Sequence, residues 1–251
     1  MSRCELESAW VLHHHPYRDS SLLLELLTAN HGRVGVIARG ARSARSKSRG
    51  LLQPFQSLLV SWAGRGELGT LATVERDRAS PRLPPAQLMA GFYVNELLLK
   101  LLQRQDPHPE VFDDYQVVIR SLASAGDDQS AARALRLFEK RLLDALGYGL
   151  NLTHEGLSGR PVQGGCDYHY YAESGPEPAG VAEGATVVSG EALLALAAER
   201  LEEAQHLQVA RQLLSEALQR QLGGRALRTR EVAKATVRRR RTSAASSTAE
   251  R

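Results

Sequence analysis

Cysteine is scarce in this 251-residue chain: Cys4 and Cys166 are the only two, too few for a disulfide framework. No apolar run approaches the ~18 residues that a membrane span needs. The start MSRCELESAW lacks the hydrophobic stretch of a signal peptide. These absences argue against a secreted scaffold or a helical membrane protein and lead to the expectation of a cytoplasmic one. The phosphate-gripping pattern G-x-x-x-x-G-K-[ST] is missing, so nothing supports ATP hydrolysis by a P-loop. Scattered Ser, His and Asp residues stand in no nucleophile elbow or metal motif, and no enzyme is expected.

The most informative absence is local. From Leu26 to Gly66 there is no Asp or Glu, while Arg33, Arg39, Arg42, Arg45, Lys47, Arg49 and Arg65 all fall within the stretch. It opens as a strand, with Val34, Val36 and Ala38 on one face, and passes into a loop of small residues punctuated by cations. With no carboxylate nearby in sequence, the positive potential reaches solvent. Cations on a loop can follow a flexible line of phosphates, so these seven residues are the candidate nucleic-acid contacts. A charge run is more often a solvated face; the strands around this one favour the binding role.

The formal charge of +4 hides an asymmetry. Residues 1–82 hold 12 basic and 7 acidic groups, residues 83–224 hold 11 and 19, and residues 225–251 hold 9 and 2. A polyanion is expected at the two basic ends.

Residues 9–78 alternate between short apolar runs and turns: AWVLHHH, SLLLELLT, GRVGVIAR, SLLVSWAG and ELGTLATVE. Such spacing, with no long helical pattern between, predicts a five-stranded OB-fold barrel. Trp10, Tyr17, Phe55 and Trp62 are stacking candidates, although each alone is more simply a core residue. The proline-bearing linker ASPRLPPAQ, residues 79–87, sets the boundary between an N-terminal domain, 1–80, and a helical domain, 81–237. The class is therefore α+β with two domains. A first helix is predicted with Leu88, Phe92, Leu99 and Leu102 on one face and leucines on the others, buried within a bundle, with Glu96 and Lys100 paired on its wet side. A second spans about 110–125. A third starts near Gln129 and carries Leu135, Phe138, Leu142 and Leu146 before a Gly147-Tyr148-Gly149 stop. Residues 150–188 read as an inserted loop and hairpin module. Helix resumes from a Ser189 cap, and again from about Ala204 to Leu222 with Leu207, Ala210, Leu214 and Leu218 in phase. Residues 238–251 read as a disordered basic tail.

Three patterns resemble sites without meeting their physical requirements. Gly64, Gly66 and Gly69 spell G-x-G-x-x-G, but a strand follows where a pyrophosphate would need a helix N-terminus, so a hairpin turn is expected and no cofactor. His13 and His15 share a strand face, short of a closed zinc site. His154, Cys166 and His169 in the inserted module lack a fourth ligand, and no metal is expected.

The segments HHHPYRDSSLLLELLTANHGRVGVIARGARSARS, LLQPFQSLLVSWAGRGELGTL, YVNELLLKLL, LRLFEKRLLDALGYGLNL and LGGRALRTRE resemble, in this order, those of the bacterial RecO DNA repair proteins. The likeness spans residues 9 to about 232. It implies an OB domain followed by a helical one, and a recombination mediator of the RecF pathway. Such a protein binds single-stranded DNA, anneals complementary strands without a nucleotide, and helps load the RecA recombinase onto DNA coated with single-stranded DNA-binding protein. It implies RecR and the acidic C-terminal tail of single-stranded DNA-binding protein as partners, and a nucleoid-associated location. Many members carry four cysteines for zinc in the inserted module, whereas this chain has only Cys166 there and looks like the metal-free branch.

An acidic tail ending in an apolar side chain and a free carboxylate needs an apolar pocket rimmed by a cation. The third helix is expected to supply both, with Leu135, Phe138 and Leu142 as the stripe and Arg133, Arg136, Lys140 and Arg141 beside it. Arg136 is the first choice, because a guanidinium grips a carboxylate through two parallel hydrogen bonds. Two other classes compete: a protein-interaction adaptor in which the basic loop is incidental, and an RNA-binding OB protein.

Overall fold

The computed structural model of the chain describes residues 2–46, 48–64, 66–77, 80–179, 186–233 and 235. Five strands come first: β1 (Ser2–Tyr17), β2 (Ser21–Thr28), β3 (Gly32–Ala38), β4 (Ser57–Gly64) and β5 (Leu68–Arg76). They close into a barrel in the order β1-β2-β3-β5-β4, the expected OB architecture. Neighbours run antiparallel except β3 and β5, which are parallel. Period-two alternation turns Leu22, Leu24 and Leu26, Val34 and Val36, and Leu58 and Val60 into one core. Each such side chain contributes about 1.5–3 kcal/mol on burial, which makes this core the barrel's main stabiliser.

β1 starts earlier than the run AWVLHHH indicates, because it serves two neighbours. It pairs with both β2 and β4, and its register shifts between Val11 and His13 on one side and between Cys4 and Glu7 on the other. Each bulge adds a residue on one edge and bends the strand around the barrel. Leu6 takes up the second bulge at φ 51, its amide donating to Ser61 Oγ at 3.1 Å.

The chain forms two compact units, residues 1–112 with the segment that begins at Arg225, and residues 113–224. Helix α1 (Leu88–Leu101) therefore groups with the barrel although it follows the 79–87 linker. Its packed face is also not the leucine stripe read from the sequence. Gly91, Val94, Asn95 and Leu98 are buried, while Leu88 and Phe92 stay 37% and 38% exposed. Polar and steric matching decide the orientation. Asn95 Nδ2 donates to Leu12 O at 2.7 Å, satisfying a buried amide, and a Cβ on Gly91 would lie 2.9 Å from the Phe55 ring. The Glu96–Lys100 pair forms at 3.0 Å but is not merely a wet surface pair. Glu96 also accepts from Arg228 N at 2.8 Å, Thr229 N at 3.0 Å and Thr229 Oγ1 at 2.7 Å, at the start of a helical segment over 228–233. Burial opposes ionisation of Glu96, but these donors and Lys100 outweigh it and hold the carboxyl below its ordinary range.

Helix α2 (Pro109–Ser124), whose residues from Asp113 on belong to the second unit, buries Tyr115, Val118, Ile119 and Leu122 at helical spacing. Helix α3 (Asp128–Ala145) starts in a reciprocal cap between Asp127 and Ser130. Residues 167–189 carry a three-stranded antiparallel sheet of β6 (Asp167–Tyr171), β7 (Gly175–Pro178) and β8 (Thr186–Ser189) in the order β7-β6-β8. The hairpin read from the sequence gains a third strand because β8 pairs with the other edge of β6. Ser189 caps α4 (Gly190–Ala197), and α5 (Ala204–Leu222) buries Leu207, Ala210, Leu214 and Leu218 as its periodicity requires. Gly223, at φ 56, ends α5 in the left-handed conformation that glycine tolerates. The expected basic tail, 238–251, lies outside the described residues. No described helix is long and apolar enough to cross a membrane.

Candidate nucleic-acid interface

The connection between β3 and β4 is pinned at both ends. Ala41 and Leu52 are 1% and 0% exposed and belong to the barrel core, and His14 Nδ1 donates to Leu52 O at 2.8 Å. Between them the chain advances through tight turns, with Ser43 N on Gly40 O, Ser46 N on Ser43 O and Leu52 N on Ser48 O. Small residues permit these turns. Arg39, Arg42, Arg45 and Arg49 are all exposed, and none forms an ion pair among the described residues. Lys47 and Arg65 lie outside the described residues.

The β1–β2 turn joins this surface. Arg42 N donates to Ser20 O at 2.8 Å and Arg42 Nη1 to Arg18 O at 3.2 Å. That brings in Arg18, exposed, whose guanidinium carbon lies 5.3 Å from the centroid of Tyr17, within cation–π range. Arg18 lies outside the carboxylate-free stretch from Leu26 to Gly66 that supplies the sequence candidates. The signal that identifies it is a tertiary contact.

Arg33 is placed apart from these cations. It is half-buried, its Nη1 donates to Leu99 O, and its Nε lies 3.9 Å from Glu25 Oε2. Burial lowers the Arg33 pKa, and the neighbouring Arg104 adds to this against the pull of Glu25. Glu25 sits one residue outside the carboxylate-free stretch, but strand pairing sets it opposite Gly35. Of the aromatic candidates, Trp10 and Phe55 are 2% and 6% exposed, and Trp62 is half-buried with its ring edge-on to His31. Tyr17 meets Arg18, whose carbonyl accepts from Arg42 of the arginine loop. His13 and His15 do share a face, their rings 5.8 Å apart. Burial first, then the neighbouring His15 and His14, lower the His13 pKa from its ordinary 6.5 against the pull of Glu25. Gly64, Gly66 and Gly69 lie at the β4–β5 hairpin, Gly66 at φ 84.

The second basic cluster is arranged differently. Arg136 is buried and its Nη2 meets Glu139 Oε1 at 2.7 Å. Arg141 Nη1 reaches Asp114 at 2.9 Å and its Nε donates to both oxygens of Glu199. Lys140 holds Asp144 at 2.9 Å and Glu199 at 3.5 Å, and Arg133 Nε donates to Leu201 O at 2.7 Å. The bonds from Glu199 raise the Arg141 pKa despite burial, and those from Arg141 lower that of Glu199. Phe138 and Leu142 are core residues, and Leu135 is half-buried. The helix thus turns its expected carboxylate grip, Arg136, inward.

His154, Cys166 and His169 do not converge. Among the described residues, groupings of three metal-ligating side chains occur at Cys4, Glu7 and His31 and at Glu191, Glu203 and His206.

Two family models match this chain: "Recombination protein O N terminal" over residues 1–77 and "Recombination protein O C terminal" over residues 84–231. The chain is 46% identical over 231 residues to the DNA repair protein RecO of Methylococcus capsulatus, covering 92% of this chain and 93% of that relative. It is 46% identical over 231 residues to the one from Alkalilimnicola ehrlichii, covering 91% and 90%. The RecO protein of an Azoarcus species is 40% identical over 234 residues, covering 92% and 95%.

Proposed function

The chain belongs to the RecO family, and on that premise we propose that it acts in DNA repair and homologous recombination by binding single-stranded DNA along the β3–β4 loop. The observation that carries this reading is the set of exposed arginines, Arg39, Arg42, Arg45 and Arg49, that no described carboxylate neutralises. Their loop is fixed to the barrel by Ala41 and Leu52, so ordering it on DNA costs little further entropy. Arg18 and Tyr17 extend the track, Tyr17 offering an aromatic face for a base. Annealing requires two polyanions to approach, and screening by these cations lowers the Coulomb repulsion without covalent chemistry on the DNA. The protein is therefore a mediator rather than an enzyme, acting at the nucleoid, with RecR as partner and RecA loading as the outcome.

The acidic tail of single-stranded DNA-binding protein is assigned to α3. Because Arg136 is engaged with Glu139, the grip passes to Arg133, whose terminal nitrogens make no hydrogen bond among the described residues, beside the half-buried Leu135. A crosslinking map with a short single strand tests the DNA assignment, together with annealing of complementary oligonucleotides in the absence of nucleotide. Crosslinks to residues 17–18 and 39–49 with annealing support it. Crosslinks confined to the helical unit, or annealing unaffected by Arg39→Glu, Arg42→Glu and Arg45→Glu combined, contradict it.

A further inference from the structure

At the start of β1 the barrel assembles a mixed donor set that sequence spacing conceals. Cys4 Sγ lies 4.0 Å from His31 Nδ1, and the same Nδ1 lies 3.6 Å from Glu7 Oε1. All three ligand atoms fall within 4.8 Å of one another. The bulge makes this possible. In a regular strand residues three apart face opposite ways, whereas the extra residue at Leu6 returns Cys4 and Glu7 to one side. His31 comes from the β2–β3 turn, fixed by its own amide on Thr28 Oγ1 at 3.1 Å. The Trp62 ring, centroid 5.3 Å away and at 81°, walls its imidazole.

We infer that Cys4, Glu7 and His31 bind one zinc ion, with water completing the tetrahedron. With bonds of about 2.3 Å to sulfur and 2.0–2.1 Å to nitrogen and oxygen, ligand atoms around tetrahedral zinc lie roughly 3.4–3.6 Å apart. The His31 separations, 4.0 Å to Cys4 and 3.6 Å to Glu7, need to contract by no more than about half an ångström, and the Cys4–Glu7 separation, within 4.8 Å, by no more than roughly 1.3 Å. Charge also matches. A thiolate and a carboxylate balance the divalent ion, so the filled site is neutral and tolerates partial burial. Glu7 is 7% exposed, and His31 is its only ion-pair neighbour among the described residues. Its carboxylate is oriented by Asn30, whose backbone N donates to Oε1 at 2.7 Å and whose Nδ2 donates to Oε2 at 3.1 Å, as supporting groups around metal ligands commonly are. The ion would tie the start of β1 to the β2–β3 turn, at a site separate from the arginine loop.

Cobalt(II) titration of the chelator-treated full-length chain tests this, with zinc as competitor. The expected result is one equivalent bound, with thiolate-to-cobalt charge-transfer absorption that zinc abolishes. Cys4→Ser removes that absorption, Cys166→Ser retains it, and Asn30→Ala weakens uptake about 10- to 100-fold. His31→Gln, at a ring 47% exposed, removes a ligand without disturbing the core, so the zinc-induced rise in melting temperature disappears while the metal-free melt is unchanged. Charge-transfer absorption that survives Cys4→Ser overturns the assignment. So does cobalt bound without a thiolate band, as the exposed His13 and His15 would bind it, or an equal zinc response in His31→Gln.

Discussion

Two basic clusters in this molecule look alike in sequence and differ in space. The β3–β4 loop keeps Arg39, Arg42, Arg45 and Arg49 exposed without an ion pair among the described residues. On α3, Arg136, Lys140 and Arg141 are each met by a carboxylate, and Arg133 gives its Nε to a backbone carbonyl. A cation serves a ligand only when the fold brings no nearer acceptor to it. On α3 the charges are taken up by carboxylates of the same helix, of α2 and of the turn after α4; on the loop they are available to phosphate. Arg33 makes the same point within the loop's own stretch, since Glu25 claims it across a strand pair.

The comparison can be broken at its structural end first. Glu139→Ala leaves Arg136 buried and uncompensated, and is expected to destabilise the chain by about 3–5 kcal/mol in urea unfolding, with oligonucleotide affinity of the folded fraction unchanged. Replacing the pair together, as Arg136→Met with Glu139→Leu, is expected to cost far less. Leu52→Ala removes a fully buried anchor of the arginine loop, with an expected loss of about 2–5 kcal/mol. Unlike Glu139→Ala it should also weaken single-strand binding, because the loop loses its fixed path. A loop variant with unchanged DNA affinity would show that anchoring is irrelevant.

The smallest effect is in pH. Glu199 and Glu96 both titrate below their ordinary value of 4.5. The stability they contribute is present above that value and is lost as pH falls through their lowered folded values. Glu199→Gln is expected to cost about 1 kcal/mol at pH 7 and to flatten the acid limb of the unfolding profile. An acid limb identical to that of the parent chain would remove Glu199 from the account.

The barrel was legible because alternation is local: each core residue of β2, β3 and β4 announces itself by its neighbours two positions away. The bounds of α5 and the cap at Ser189 were legible for the same reason. What escaped depends on distant partners. The face of α1 is set by Leu12 O and the Phe55 ring together with Leu97 and Leu98, not by the stripe that begins at Leu88 and Phe92. Arg136 reads as a surface cation until Glu139 is found buried beside it, and Arg18 stands outside the basic stretch until Arg42 draws its turn to the loop. The Cys4, Glu7 and His31 grouping depends on a bulge that alternation cannot foresee.

The most direct test compares the salt dependence of single-strand binding for the parent chain, for the Arg39→Glu, Arg42→Glu and Arg45→Glu triple variant, and for Arg133→Gln. Each phosphate contact contributes about 0.7 to the slope of log affinity against log salt, so the triple variant should flatten the slope by roughly 2. Arg133→Gln should leave it unchanged. A triple variant with the parent's slope and an intact fold, or an Arg133→Gln variant that flattens it equally, would contradict the assignment of DNA binding to the β3–β4 loop.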